Sequence, residues 1–245
     1  MCDRQYLYCV IEGDELPSGV PSGLEGAALQ TLACDGIAGV VSHIARSQVP
    51  VDLNDVIRHE MIVEKLMCAR TLLPVRFGTV FKDRQDVLQV LSQRRSTFLN
   101  GLDLVRGKVE LGVRVMVPNV PPVTDTPTDG DPPHLGPGHR FMADRMRLHA
   151  RSHALGRQFE ALSSAINDCL MSYAQEHRLW QPTSEKTAMN AAYLVRLEQL
   201  LDFGYEVERL RLARSDLRFL LTGPWPPYSF VTPDWLESGI SISTD

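Results

Sequence analysis

Residues 71–81 read Thr71-Leu72-Leu73-Pro74-Val75-Arg76-Phe77-Gly78-Thr79-Val80-Phe81. Leu73, Val75, Phe77 and Phe81 recur at strand spacing on one face, while Leu72, Pro74, Arg76, Gly78 and Val80 take the other. An arginine in mid-strand needs a partner wherever it is covered, because an unpaired buried charge is very costly. The stretch before it, Asp52 to Ala69, has a helical pattern, with Leu53, Val56, Val63, Leu66 and Met67 on one stripe. His59 and Glu60 sit within the gap of that stripe rather than opposite it. A helix-to-strand ion pair between Glu60 and Arg76 is therefore expected, with Glu64 one turn on as the alternative partner. Such a pair sets register more than it adds stability. The competing expectation is an Arg76 that reaches solvent at a strand end.

The flanks extend this pattern. Tyr6-Leu7-Tyr8-Cys9-Val10-Ile11 is aromatic and β-branched and stops at Glu12-Gly13-Asp14, which predicts a first strand. After a Pro/Gly-rich loop come two apolar runs, Ala28 to Cys34 and Ile37 to Ile44, separated by Asp35-Gly36, a hairpin signal. Asp83 is placed to cap a helix carrying Val87, Leu88, Leu91, Phe98, Leu99 and Leu102. Lys108 to Val117 alternates as a further strand. The order predicts an N-terminal α+β domain over 1–117, an antiparallel sheet of ferredoxin-like type with helices on one face.

From Pro118 to Gly138 the composition shifts: seven of the sixteen prolines fall there, which marks 118–138 as a linker and a domain boundary. Residues 139–245 then predict a second α+β domain with a long helix and a small sheet. The helix is expected from His139 to Trp180, with Leu155, Phe159, Leu162, Ile166, Cys169 and Tyr173 as its buried stripe. Ala188 to Val195 and Leu217 to Leu221 predict strands, Arg196 to Ala213 a helix, and the tail after Pro233 a frayed end.

At 245 residues, 44% apolar and 22% charged, the composition is that of a globular protein. The net charge of −5 argues against general nucleic-acid binding. No apolar run approaches the ~18 residues of a membrane span, and the N-terminus lacks the regions of a signal peptide. The five cysteines, Cys2, Cys9, Cys34, Cys68 and Cys169, have no CxxC spacing and predict reduced thiols in a cytoplasm. GxSxG, P-loop and strand-linked GxGxxG motifs are absent from the sequence. His149 and His153, at i, i+4, lack an evident third ligand. No catalytic residue, cofactor or metal is therefore expected. Two surfaces remain for partners: Arg147 and Arg151 in the basic stretch Arg140–Arg157, and the rigid aromatic turn of Trp225, Tyr228 and Phe230.

Six segments in order carry a family resemblance: Tyr6-Leu7-Tyr8, Arg58-His59-Glu60 with Val63-Glu64, Leu73 to Phe81, Val109 to Val113, Asn190 to Val195, and Leu221 to Phe230. On these the chain resembles the GvpF/GvpL family of gas vesicle proteins. The resemblance implies a cytoplasmic accessory protein of the gas vesicle, not an enzyme. Its implied partner is the small hydrophobic GvpA-type shell subunit, with other gas vesicle accessory proteins as further partners, and without nucleic acid or membrane. It implies assistance in nucleation or assembly, the alternative being a minor component retained in the shell.

Overall fold

The computed structural model describes residues 3–118, 137–181, 184 and 186–231. Contacts divide the chain into two compact units, Met1–Leu111 with Leu194–Glu198 and Gly223–Asp245, and Gly112–Tyr193 with Gln199–Thr222. The fold is α+β with two antiparallel sheets.

The first unit is built on β1 (Gln5–Glu12), β2 (Leu29–Cys34), β3 (Ile37–His43), α1 (Leu53–Met67), β4 (Leu72–Pro74), β5 (Val80–Phe81), α2 (Arg84–Gln93) and α3 (Arg95–Val105). The sheet order is β2-β3-β1-β4, with β5 also paired to β1. The Asp35-Gly36 hairpin forms with both residues at positive φ, 45° and 89°, the twist a two-residue turn requires. Every residue of β1 from Gln5 to Ile11 is buried, which requires cover on both faces. On one face Tyr6, Tyr8 and Ile11 pack with Ile62, Val63 and Leu66 of α1. On the other, a Cβ at Gly39 would lie 3.0 Å from Leu7, 3.4 Å from Val87 and 3.5 Å from Leu91, so α2 sits there. Helices thus cover both faces rather than the one expected. Each fully buried aliphatic or aromatic side chain contributes about 1.5–3 kcal/mol.

The 71–81 stretch is not one regular strand. Leu72–Pro74 and Val80–Phe81 both pair with β1, and two bonds extend the pairing inward: Val75 N to Tyr8 O at 3.0 Å and Leu7 N to Thr79 O at 3.1 Å. Arg76, Phe77 and Gly78 form a three-residue excursion between them, permitted by the positive φ of Gly78, 89°. The predicted helix over Val87–Leu102 is two helices, α2 and α3, broken at Arg94 (φ −115°, ψ 20°). Asp52 caps α1 by accepting from the Asn54 and Asp55 amides, and Asp83 caps α2 through Asp86.

The second sheet is formed by β6 (Lys108–Met116), β7 (Glu176–Leu179), β8 (Thr187–Arg196) and β9 (Arg218–Trp225), in the order β7-β8-β6-β9. Two helices accompany it, α4 (Pro137–Met171) and α5 (Leu200–Ala213). The long helix ends nine residues before the expected Trp180, because Glu176–Leu179 is taken into the sheet. The buried positions near its end are Ile166, Leu170 and Ala174, and Tyr193 packs on Phe203 with ring centroids 5.2 Å apart. Residues 119–136 of the expected linker and the tail after Pro233 lie outside the described residues.

Candidate functional site

The polar centre of the first unit is His59. It lies on the buried face of α1 with Ile62, Val63 and Leu66, and none of its surface is exposed. Its Nε2 is 3.0 Å from the Val75 carbonyl, which can only accept, so Nε2 carries the proton. Nδ1 then accepts from the Tyr6 hydroxyl at 2.9 Å, and that hydroxyl accepts from the Gly78 amide at 3.0 Å. The excursion at Arg76–Gly78 is thereby tied to the helix. The Tyr8 ring stacks on the imidazole, with centroids 5.6 Å apart, and Phe77 meets it edge-on at 5.9 Å. Burial pushes the His59 pKa down to about 4, against the opposing bond to Val75, so the ring is neutral near pH 7.

The turn after β9 docks into the same unit. Tyr228 donates to Glu60 Oε1 at 3.1 Å and approaches His59 Nε2 at 3.2 Å. The Ser229 amide and hydroxyl donate to the two carboxylate oxygens of Glu110, at 2.8 and 2.6 Å. Phe230 is buried, as are Pro226 and Pro227. Gly223 lets the chain pass close to β6: at φ 109° a Cβ there would be 2.8 Å from the Glu110 carbonyl. Burial raises the pKa of both Glu60 and Glu110, and burial followed by Glu60 raises that of Tyr228. The hydroxyls and ring nitrogens of this cluster are spent on one another, so its chemistry is that of a clasp holding 226–230 against α1 and β6. Among the described residues, no three His, Cys, Asp or Glu side chains converge as metal ligands. Burial pushes the Cys9 thiol pKa up, the reverse of what a nucleophile needs.

The expected site residues are placed as follows. Tyr228 and Phe230 point inward, whereas Trp225 remains 43% exposed. Glu60 meets Tyr228, and no ion pair joins it to Arg76, which the three-residue excursion leaves exposed. Arg147 and Arg151 lie on α4 at positions whose side chains are outside the described ones. Sequence reasoning placed His59 in the gap of the α1 stripe and Tyr6 in the first strand, but gave no site role to either, nor to Glu110 or Ser229. His59 carried a signal, since it stands four residues before Val63 and three before Ile62; Glu110 and Ser229, 119 positions apart, carried none.

Apolar surface is left uncovered elsewhere. On α1, Leu53, Ile57 and Met61 recur every four residues and are 72%, 48% and 49% exposed, with Val51 just ahead. On α5, Leu201, Tyr205 and Leu212 are exposed. No helix among the described residues is long and apolar enough to cross a membrane.

Comparison with known proteins adds a lineage to this geometry. A family model described as gas vesicle synthesis protein GvpL/GvpF matches residues 4–232. Gas vesicle protein F2 of Halobacterium salinarum is 26% identical over 230 residues, covering 92% of this chain and 91% of the relative. Gas vesicle protein F of Haloferax mediterranei is 27% identical over 236 residues, covering 94% of each. Among solved structures, gas vesicle protein GvpF from Anabaena sp. superposes with a TM-score of 0.78 at 23% identity, over 94% of this chain and 98% of that one. GvpF from Microcystis aeruginosa gives 0.70 at 22% identity, over 94% and 99%.

Proposed function

The chain belongs to the gas vesicle synthesis protein GvpL/GvpF family, and from that membership we propose that it is an assembly factor for the gas vesicle. In this reading it binds the small hydrophobic GvpA-type shell subunit and assists nucleation or assembly of the shell, working in the cytoplasm and at the growing vesicle. The observation that carries the reading is the family match over residues 4–232. The physical rationale is that a subunit with an apolar, strand-forming face is an aggregation hazard until it is incorporated. A protein that leaves Leu53, Ile57, Met61 and Trp225 uncovered has apolar surface to offer such a partner.

Co-expression with the shell subunit, followed by affinity capture and sizing of the soluble fraction, tests this. A soluble complex of the two chains is the expected result, and equal aggregation of the subunit with and without this protein would overturn it. The second reading, a minor component retained in the finished shell, predicts stoichiometric retention in vesicles after a salt wash, whereas an assembly factor is lost or remains in traces.

A further inference from the structure

Helix α5 buries Phe203 and Val207, and Phe203 packs on Tyr193 of its own unit. The opposite face is apolar as well. Leu201, Tyr205 and Leu212 are 75%, 72% and 72% exposed, where a surface helix ordinarily shows polar side chains. At about 100° per residue the three fall within about 40° of one another around the axis, so they form one row. A single exposed leucine is ordinary, but three large side chains in a row make a patch.

The charges beside this row are mixed in sign. Asp202 and Arg209 flank it on one side, two turns apart, and both are exposed. Arg209 bonds Glu206 through Nε and Nη2, at 2.8 and 2.6 Å, which leaves Nη1 to donate elsewhere. Among the described residues Asp202 forms no ion pair. On the other side of the row Glu208 and Arg211 pair with each other at 2.6 Å.

We infer that α5 is a self-association surface, on which two copies of this chain pair antiparallel through Leu201, Tyr205 and Leu212. In a pair related by a two-fold axis, each flank of one helix meets the same flank of the other. With the axis between Tyr205 and Glu206, Asp202 of one copy meets Arg209 of the other, and the contact occurs twice. The same register sets Leu201 beside Leu212 of the other copy and brings the two Tyr205 rings together at the centre. Helix α1 does not have this self-complementarity. Its row Leu53, Ile57 and Met61 is exposed too, but one flank carries Arg58 and Lys65 and the other Glu60 and Glu64. A two-fold there would set like charge against like. Helix α5 has 14 residues and spans about 21 Å, so the pair lies at the low end of specific interface areas and dissociates readily. The surface and its occupant are independent of the assembly-factor reading.

The test is sedimentation of the full chain in low salt over about 5–500 μM, a range in which mass action populates a weak dimer. The wild type is expected to pass from monomer to dimer across the series. Tyr205→Lys/Leu212→Lys, Asp202→Lys alone and Arg209→Glu alone are each expected to weaken the dimer about tenfold or more. The substituted positions are exposed, and circular dichroism and thermal melts that match the wild type verify that each variant is folded. An equimolar mixture of the Asp202→Lys and Arg209→Glu chains is expected to recover the dimer, because the mixed pair sets opposite charges together at both contacts. An effect of either substitution on its own helix alone gives no such recovery. A wild type that stays monomeric throughout overturns the proposal, as does a dimer undiminished by Tyr205→Lys/Leu212→Lys. A mixture that recovers no dimer overturns it too, since the reciprocal contact is then absent.

Discussion

The Tyr228 hydroxyl donates to the Glu60 carboxylate at 3.1 Å, joining residues 168 positions apart. The same hydroxyl stands 3.2 Å from His59 Nε2, so the turn after β9 and the middle of α1 share one polar cluster. Trp225 is presented three residues before this anchor, on backbone that Pro226 and Pro227 stiffen. A rigid, exposed aromatic of this kind loses little conformational entropy on binding.

Replacing Tyr228 with Phe keeps the ring and removes the hydroxyl. Half-buried Glu60 then loses its donor, and the expected loss is about 1–2 kcal/mol. It is read as a lower urea midpoint with an unchanged denaturant slope. An unchanged midpoint would contradict the clasp.

Glu110→Ala removes both acceptors of Ser229, whereas Ser229→Ala removes only the hydroxyl bond and keeps the amide bond. The first substitution is expected to cost about 1–3 kcal/mol and the second distinctly less. Equal losses in thermal melts would mean that the backbone bond contributes nothing.

Acid sensitivity follows from His59. Its folded pKa of about 4 lies below the ordinary 6.5, so between these values the unfolded chain takes up the proton first. The stabilising contribution is full above pH 6.5 and is lost as pH falls toward 4. Glu60 and Glu110 have the opposite sign: their raised values favour the fold at low pH and oppose it as pH rises above the ordinary 4.5. The expected results are that His59→Gln is less stable at pH 7.5 and that its stability changes less than the wild type's between pH 7 and 5. Parallel pH profiles in urea titrations would contradict this.

Gly23 is fixed by close approach, since a Cβ there would be 2.6 Å from the Tyr8 hydroxyl and 2.7 Å from Ser42 Oγ. Gly23→Ala is expected to cost about 1–3 kcal/mol. Gly204, inside α5 with nothing within 4 Å of a Cβ, is the contrast. Gly204→Ala is expected to stabilise by about 0.5–1 kcal/mol through helix propensity. Melting temperatures that move in the same direction for both would contradict these assignments.

Local signals carried much of the architecture. The aromatic and β-branched run at Tyr6–Ile11, the Asp35-Gly36 turn and the cap Asp83 lie within a few residues of what they specify, and each has its expected structural role. The departures are tertiary. Glu176–Leu179 has a sequence that a helix would accept, but pairing with β8 draws it into the sheet. Arg76 alternates correctly for a strand, yet the bonds of Gly78 and Thr79 to Tyr6 and Leu7 loop it outward. Cover on both faces was implied by the unbroken apolar run of β1, a pattern that does not fit a half-solvated sheet. The clasp was the least legible part, because Glu60, Glu110, Tyr228 and Ser229 are common surface residues until distant segments meet.

The most direct test of the assembly-factor account is light scattering by the shell subunit diluted from denaturant, with and without equimolar protein. Suppressed scattering and co-elution of the two chains are the expected results, with Trp225→Ala suppressing less while its melting temperature is unchanged. Scattering of equal rate and amplitude in the presence and absence of the protein would contradict the account.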